Sequence, residues 1–380
     1  MQNPDAIVIG AGIVGASVAL SLTNSGFKVL VIDRGAVSSG TTGAGEGNIL
    51  VSDKDPGPEL TLALRSRDLW FEMQEDVGDT FELEAKGGVV VARNDDGPLM
   101  KLAAEQSHHG VKVQQLDHAS LHDLEPYLDQ KFQSGVFYPQ DSQCQPMLAA
   151  AHVIRTVVRR GGAFISQAKV TKISVSEGRV TGIETTQGNF SAPIIVNATG
   201  TWAGELAQMA GSHLPIAPRK GFILVTEPTQ KYIFHKVYDS DYVANVASSD
   251  ADLQTSTVVE GTRAGTILIG ASRERVGFDG SMNYEILRRL AAQATSLFPV
   301  LRDVQLLRAY RGFRPYAPDH LPVIGEDATV KGLWHSAGHE GAGIGLAPGS
   351  AALITDAILG RESFMDASAF SPARFEKVLL

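Results

Sequence analysis

The chain has 380 residues, 43% hydrophobic and 20% charged, the composition of an ordinary soluble globular protein long enough for two domains. Its formal net charge of -9, with no basic cluster to offset it, argues against nucleic acid as the main partner. One cysteine, Cys144, excludes a disulfide within the chain and a zinc–thiolate or iron–sulfur cluster held by this chain alone, and it fits a reducing compartment, the cytoplasm.

In chain order, Ala6-Ile7-Val8-Ile9 is an apolar run that predicts a buried strand. It ends at Gly10-Ala11-Gly12-Ile13-Val14-Gly15, a GxGxxG. Val14, Val18, Ala19 and Leu22 then follow at the spacing of a buried helical stripe, and Gly26 stops the helix. Val29-Leu30-Val31-Ile32 predicts a second strand with Asp33 at its end. Each part has a physical role in binding a dinucleotide. Gly10 allows the tight turn, Gly12 lets backbone approach a pyrophosphate, and Gly15 lets helix pack on strand. The helix N-terminus offers free N–H groups to the phosphates. Asp33 is placed to accept hydrogen bonds from a ribose diol. Residues 6–22 do not read as a signal peptide or membrane helix, because the run carries glycines and serines and has no basic residue before it.

Ser38 to Asn48 is dominated by small and hydroxyl residues, so backbone there can lie close to a ligand. Glu59 to Val77 predicts an amphipathic helix with Leu62, Leu69, Trp70 and Met73 on its apolar face. Residues 82–93 predict a strand pair. Helices are expected at 99–109, 118–125 and 147–160, and short strands at 163–166, 170–176 and 179–186. Ile194 to Gly200, IIVNATG, is a second buried strand ending on small residues ahead of a helix over 202–210. Such a strand can bring Thr199 and Gly200 beside a dinucleotide held by the first turn. From Pro215 to Arg308 the pattern is β-rich, with a helix over Tyr284–Leu297. Near the C-terminus, Arg308 to Pro315 (RAYRGFRP) leads to the strand Gly332–Gly338, the glycine-rich stretch His339–Gly345, and a helix over Leu346–Leu359. A helix N-terminus behind a glycine turn favours negative charge in front of it.

Taken in order, GAGIVG, the acid after strand two, TTGAGEGN, VNATGTWA, RGFRPYAPDHLPVIG and GLWHSAGHEGAGIGLAP resemble the D-amino-acid oxidase superfamily of FAD enzymes, from about residue 5 to 360. The branch is that of glycine oxidase, sarcosine oxidase and D-amino-acid dehydrogenase. AGEGNILVSDK and GHEGAGIGLAP look most similar to the flavin subunits of opine oxidase, D-hydroxyproline dehydrogenase and hydrogen cyanide synthase. The resemblance implies an α/β fold: a Rossmann-like FAD domain (residues 1–85, 145–214 and 310–380) with an inserted, mainly antiparallel-sheet substrate domain (86–144 and 215–309).

It also implies non-covalent FAD, with the pyrophosphate on Gly10, Gly12, Ile13, Val14 and Gly15 and the adenosine ribose at Asp33 and Arg34. Asp stands there where the family usually has Glu. Thr41, Thr42, Gly47 and Asn48 are expected along the phosphate, ribityl chain and ring; Val170, Thr199, Gly200 and Trp202 on the adenine side. Gly338, His339, Gly341, Gly343 and Ile344 form the turn expected at the flavin's pyrimidine edge. Members of the family oxidise a C–N bond next to a carboxylate, and Arg314 matches a carboxylate-binding arginine; a structural salt bridge is the ordinary alternative. Glu260 and Glu46 are further substrate-binding candidates, although a strand-end Glu260 also reads as solvated. His339 is a candidate for tuning flavin charge or for a purely structural hydrogen bond. Tyr238 and Tyr242 are lid candidates. Expected partners are a small amino-acid-like substrate and an acceptor that is oxygen, a quinone or a partner subunit. A homo- or hetero-oligomer is possible on this reading; a metal and a transmembrane segment are not expected. A 2-hydroxy acid is the rival substrate, since C–O and C–N oxidation need similar geometry.

Overall fold

The computed structural model describes residues 4–378, apart from 79–80, 94 and 241–252. Ala6–Ile9 carries no polar side chain and is buried along its whole length, in the middle of a six-stranded sheet. Across that sheet the strands run Val323–Glu326, Leu333–Ala337, Ile194–Asn197, Ala6–Ile9, Val29–Ile32 and Ala163–Ile165. All neighbours are parallel except the edge strand Val323–Glu326, which runs antiparallel to Leu333–Ala337. Ala163–Ile165 therefore belongs to this sheet. The antiparallel meander expected around it comprises only Val170–Ser176, Arg179–Thr185 and Gly188–Ser191.

Helix Ile13–Asn24 packs against Gly343–Leu359, which packs in turn on Pro58–Val77. The last helix begins at Gly343, three residues before its predicted start, so Gly343, Ile344 and Gly345 of the glycine-rich stretch belong to its first turn. Pro348 lies inside this helix and has no N–H for the carbonyl of Ile344. Trp70 supplies the missing donor: its Nε1 donates to Ile344 O at 3.0 Å. Ser66 bridges the next step, accepting from Gly349 N at 3.0 Å and donating to Gly345 O at 2.7 Å. Thus the buried face of Pro58–Val77 fixes the helix whose N-terminus faces the cavity described below. Leu69, expected on that face, is half-buried; Leu60, Leu62, Ser66, Trp70 and Met73 form it.

The second sheet has eight strands, in the order Leu306–Tyr316, Ala217–Thr226, Ile267–Arg273, Gln254–Gly261, Lys236–Asp239, Gly88–Val91, Gly135–Tyr138 and Gln114–Leu116. Its pairings are antiparallel except between Lys236–Asp239 and Gly88–Val91. Residues 82–93 are not a strand pair: Gly88–Val91 is a single strand, and Glu84 bridges to Gln143 instead. Helix Tyr284–Leu297 buries Ile286, Leu290, Ala294 and Leu297 in this sheet's own hydrophobic core, with Asn283 capping its first turn. Tyr238 is fully buried in strand Lys236–Asp239 and hydrogen-bonded to Ser52, so it forms no lid. Tyr242 lies outside the described residues.

Candidate functional site

A cavity of about 500 Å³ is lined from one sheet by residues such as Gly10, Asp33 and Thr199, and from the other by Ile223, Gly312 and Arg314. Its floor follows from the first turn. Gly10 has φ 112°, and a Cβ there would lie 2.3 Å from Ala198 O. A Cβ on Gly15 would lie 2.0 Å from Gly10 O, so helix and strand touch only because both positions are glycine. Gly15 itself does not line the cavity. A Cβ on Gly12 would lie 2.9 Å from Thr42 Oγ1, which accepts from Ile13 N at 3.0 Å and so caps the helix. Asp33 is held from both sides: Oδ2 accepts from Ala11 N and Oδ1 from Gly35 N, each at 2.7 Å.

Ile13, Val14, Arg34, Thr41, Val170 and Gly200 also line the cavity, as do Trp202, His339, Gly341, Gly343 and Ile344. The Arg34 guanidinium lies 3.7 Å from the Trp202 ring centroid. Thr41 donates to Phe313 O at 2.7 Å, tying the 41–44 turn to strand Leu306–Tyr316. Gly47 and Gly338 stand behind the wall. Gly47 (φ 100°) lets the loop pass Cys144, whose carbonyl oxygen would be 2.0 Å from a Cβ there, and Gly338 (φ 72°) turns the chain against Ile216 and Val323. Cys144 is buried, and burial pushes its thiol well above the usual range, so it is inert as a nucleophile.

Burial holds the His339 imidazole down at about 3, so it is neutral at ordinary pH, and its Nε2 lies 2.9 Å from Ser350 Oγ. It therefore brings no positive charge to the turn. The positive end there is the N-terminus of helix Gly343–Leu359. Arg314 lines the same wall; its Nη1 donates to Ser272 O at 2.8 Å, and Gly221 makes room for it.

Glu260 is not solvated. It is fully buried, behind the cavity lining, and its Oε2 pairs with Lys236, which also donates to Asn48 Oδ1. Lys236 escaped sequence reading because a single lysine in KVYD carries no motif, and its partners are 188 and 24 residues away. Asn48 Nδ2 in turn donates to Glu46 Oε2 at 3.3 Å. Burial pushes the Glu46 carboxyl up, a trend that Lys236 and Arg314 oppose and Glu260 reinforces.

These residues fit FAD. The wall is bare where a cofactor backbone must pass, at Gly12, Gly40, Gly200, Gly341 and Gly343, and two helices begin on it, at Ile13 and Gly343. Among the described residues, no helix is long and apolar enough to cross a membrane, and no cluster of His, Cys, Asp and Glu is suited to a metal ion.

Comparison with known proteins agrees. Residues 5–357 match the family model described as FAD dependent oxidoreductase. The chain is 26% identical to glycine oxidase of Pseudomonas putida, over 98% of this chain and 99% of that one. It is 26% identical to hydrogen cyanide synthase subunit HcnC of Pseudomonas aeruginosa, over 98% of this chain and 96% of the relative. The crystal structure of L-proline dehydrogenase from P. horikoshii superposes with a TM-score of 0.90 at 24% identity, covering 99% of both chains, which shows a shared fold. The parallel sheet with its glycine turn, the second antiparallel sheet and the matched family model together make this chain a member of the FAD-dependent oxidoreductases.

Proposed function

We propose that the enzyme oxidises the C–N bond of an amino acid or N-substituted amino acid, of the D-amino acid, glycine, sarcosine, hydroxyproline or opine type. FAD, which the glycine turn and Asp33 would hold, would supply at its N5 the acceptor for a hydride from the α-carbon. The product is an imine that water hydrolyses to a 2-oxo acid. The observation that carries this reading is Arg314, a guanidinium fixed on the cavity wall beside Gly341, where a Cβ would lie 3.6 Å from its Nε. A planar guanidinium anchored by Ser272 O on the cavity wall suits a substrate carboxylate, orienting the α-carbon. In this reading the glycine turn, Asp33 and the 338–345 turn hold FAD; residues 1–85, 145–214 and 310–380 form the cofactor domain and 86–144 and 215–309 the substrate domain, except that strand Leu306–Tyr316 stands in the eight-stranded sheet. The place of action is the cytoplasm.

The relatives support amine chemistry: glycine oxidase among the curated proteins, and a proline dehydrogenase in fold. A second reading, a flavin subunit that passes electrons to a partner subunit, is favoured by the similarity to HcnC, a subunit by name.

The test is anaerobic mixing of yellow holoenzyme with D- and L-amino acids, glycine, sarcosine, hydroxyprolines, opines and 2-hydroxy acids. Loss of the oxidised flavin band with one amine class supports the proposal, and bleaching by hydroxy acids alone overturns it. Rapid recovery in air identifies oxygen as the acceptor; bleaching without recovery points to a quinone or a partner subunit.

A further inference from the structure

The cavity wall holds a carboxylate with one oxygen left without a hydrogen-bond partner among the described residues. Glu46 lines the cavity and is only 7% exposed. Its Oε2 accepts from Asn48, while its Oε1 has no hydrogen-bond partner among the described residues. A buried acceptor left unpaired is costly, more so when it is charged. Lys236 and Arg314 favour the charged form of Glu46, but neither gives Oε1 a hydrogen bond, and the nearby phenol of Tyr310 donates to Gly45 O at 3.4 Å. The backbone nevertheless makes room for the group. Gly270 lies against it, and a Cβ there would be 2.2 Å from Oε1. A buried carboxylate, in the same cavity as a carboxylate-binding arginine, is complementary to the other charge of an amino acid.

We propose that Glu46 is the amine-recognition residue: its carboxylate pairs with the protonated nitrogen of a zwitterionic amino acid whose carboxylate lies on Arg314. This rests on the amino-acid reading above and adds the substrate's charge state and the residue that selects it. The pair also provides for the proton that must leave before the C–N bond is oxidised. One N–H proton moves from the substrate ammonium to Glu46, giving a neutral amine and a neutral carboxylic acid with no change in electron count. Burial, which raises the affinity of Glu46 for a proton, favours that direction; Lys236, Glu260, Arg314 and Tyr310 are the ionisable groups around it. A 2-hydroxy acid has no cation to offer: its hydroxyl can donate one hydrogen bond to Glu46 but forms no ion pair with it.

The test uses holoenzyme and two probes of nearly equal shape that lack an α-hydrogen and cannot be oxidised, 2-aminoisobutyrate and 2-hydroxyisobutyrate. Binding is read from the perturbation of the visible flavin spectrum. Glu46→Gln should weaken 2-aminoisobutyrate by roughly tenfold to a hundredfold, the loss of one charge-assisted hydrogen bond, and leave 2-hydroxyisobutyrate within about twofold. Equal weakening of both probes, or of neither, overturns the proposal. Should the variant not retain flavin, the wild type decides: as pH is lowered and Glu46 takes up a proton, its affinity for 2-aminoisobutyrate should fall more steeply than that for 2-hydroxyisobutyrate. Parallel pH profiles overturn the proposal as well. Reduction of wild-type flavin by glycine, sarcosine and proline separates the two levels. Failure of every amine to bleach it removes the amino-acid reading and this inference together, whereas bleaching without probe selectivity removes only the inference.

Discussion

Glu340 Oε2 lies 3.2 Å from Arg219 Nη1, so the turn ahead of the last helix is pinned to the antiparallel sheet. Glu340 holds a left-handed backbone (φ 46°), and Arg219 is 1% exposed. Arg219 is also the register partner of Arg314, so one strand pair carries both the brace of the turn and the cation of the cavity.

Removing one member of a buried ion pair leaves the other charge uncompensated, at about 3–5 kcal/mol. Glu340 keeps His320, whose Nδ1 lies 2.9 Å from its Oε1, so Arg219→Met should lower stability by less than that range and loosen flavin binding. Chemical denaturation of the single and double variants with Glu340→Gln should show that the two substitutions are not additive; strict additivity would mean that the contact contributes nothing.

Arg314→Lys keeps the charge but loses the planar fork. KM for the amino acid found by flavin bleaching should rise roughly tenfold to a hundredfold, the cost of one or two charge-assisted hydrogen bonds, with a smaller change in kcat. Steady-state kinetics at saturating acceptor would show it. An unchanged KM would return Arg314 to a structural role on Ser272 O.

Gly15→Ala should yield protein without bound flavin. The added methyl would sit 2.0 Å from the backbone Gly10 O and 3.2 Å from the Ala198 Cβ, so the helix must move away from the strand. The ratio of flavin to protein absorbance after purification measures this directly. Gly26→Ala, where nothing lies within 4 Å, is the matched control, although its φ of 92° carries its own strain.

Asp141 predicts a stability that depends on pH. It is fully buried, accepts from Val51 N at 2.9 Å and from Ser52, and burial pushes its carboxyl up to about 7. Its unfolded value is about 4, so between roughly pH 4 and pH 7 the folded state binds more protons than the unfolded one. Stability therefore falls as pH rises through that window, by at most about 1.4 kcal/mol per unit for this group. Glu59, likewise raised to about 7 by burial, acts in the same direction. Melting temperatures should be higher near pH 5.5 than near pH 8, and Asp141→Asn should narrow the gap. An equal gap in the variant would show that Asp141 does not titrate there.

Some of the site was legible because it is local. The glycine turn depends on Gly10, Gly12, Gly15 and Asp33 at short spacing, and steric exclusion of a Cβ is decided within one strand–turn–helix unit. Continuous apolar runs announced the parallel strands for the same reason: a strand buried on both faces has no alternation to read. Arg314 stood in a recognisable motif, although the chain alone left it open to a structural salt bridge.

What the sequence by itself determined, then, is the dinucleotide-type turn, because it rests on backbone geometry and hydrophobic periodicity over a few tens of residues; the α/β fold and FAD followed from the resemblance of the ordered motifs to a known family. Only the tertiary structure decided the ionic environment around them. Glu260 read as a solvated strand end, and it is buried because Lys236, from a neighbouring part of the sheet, compensates its charge. Asn48 links that pair to Glu46, and Trp70 with Ser66 repairs the helix that Pro348 interrupts. Burial and pairing of charge depend on which distant segments meet, and a charged residue beside its sequence neighbours carries no sign of the partner that will neutralise it.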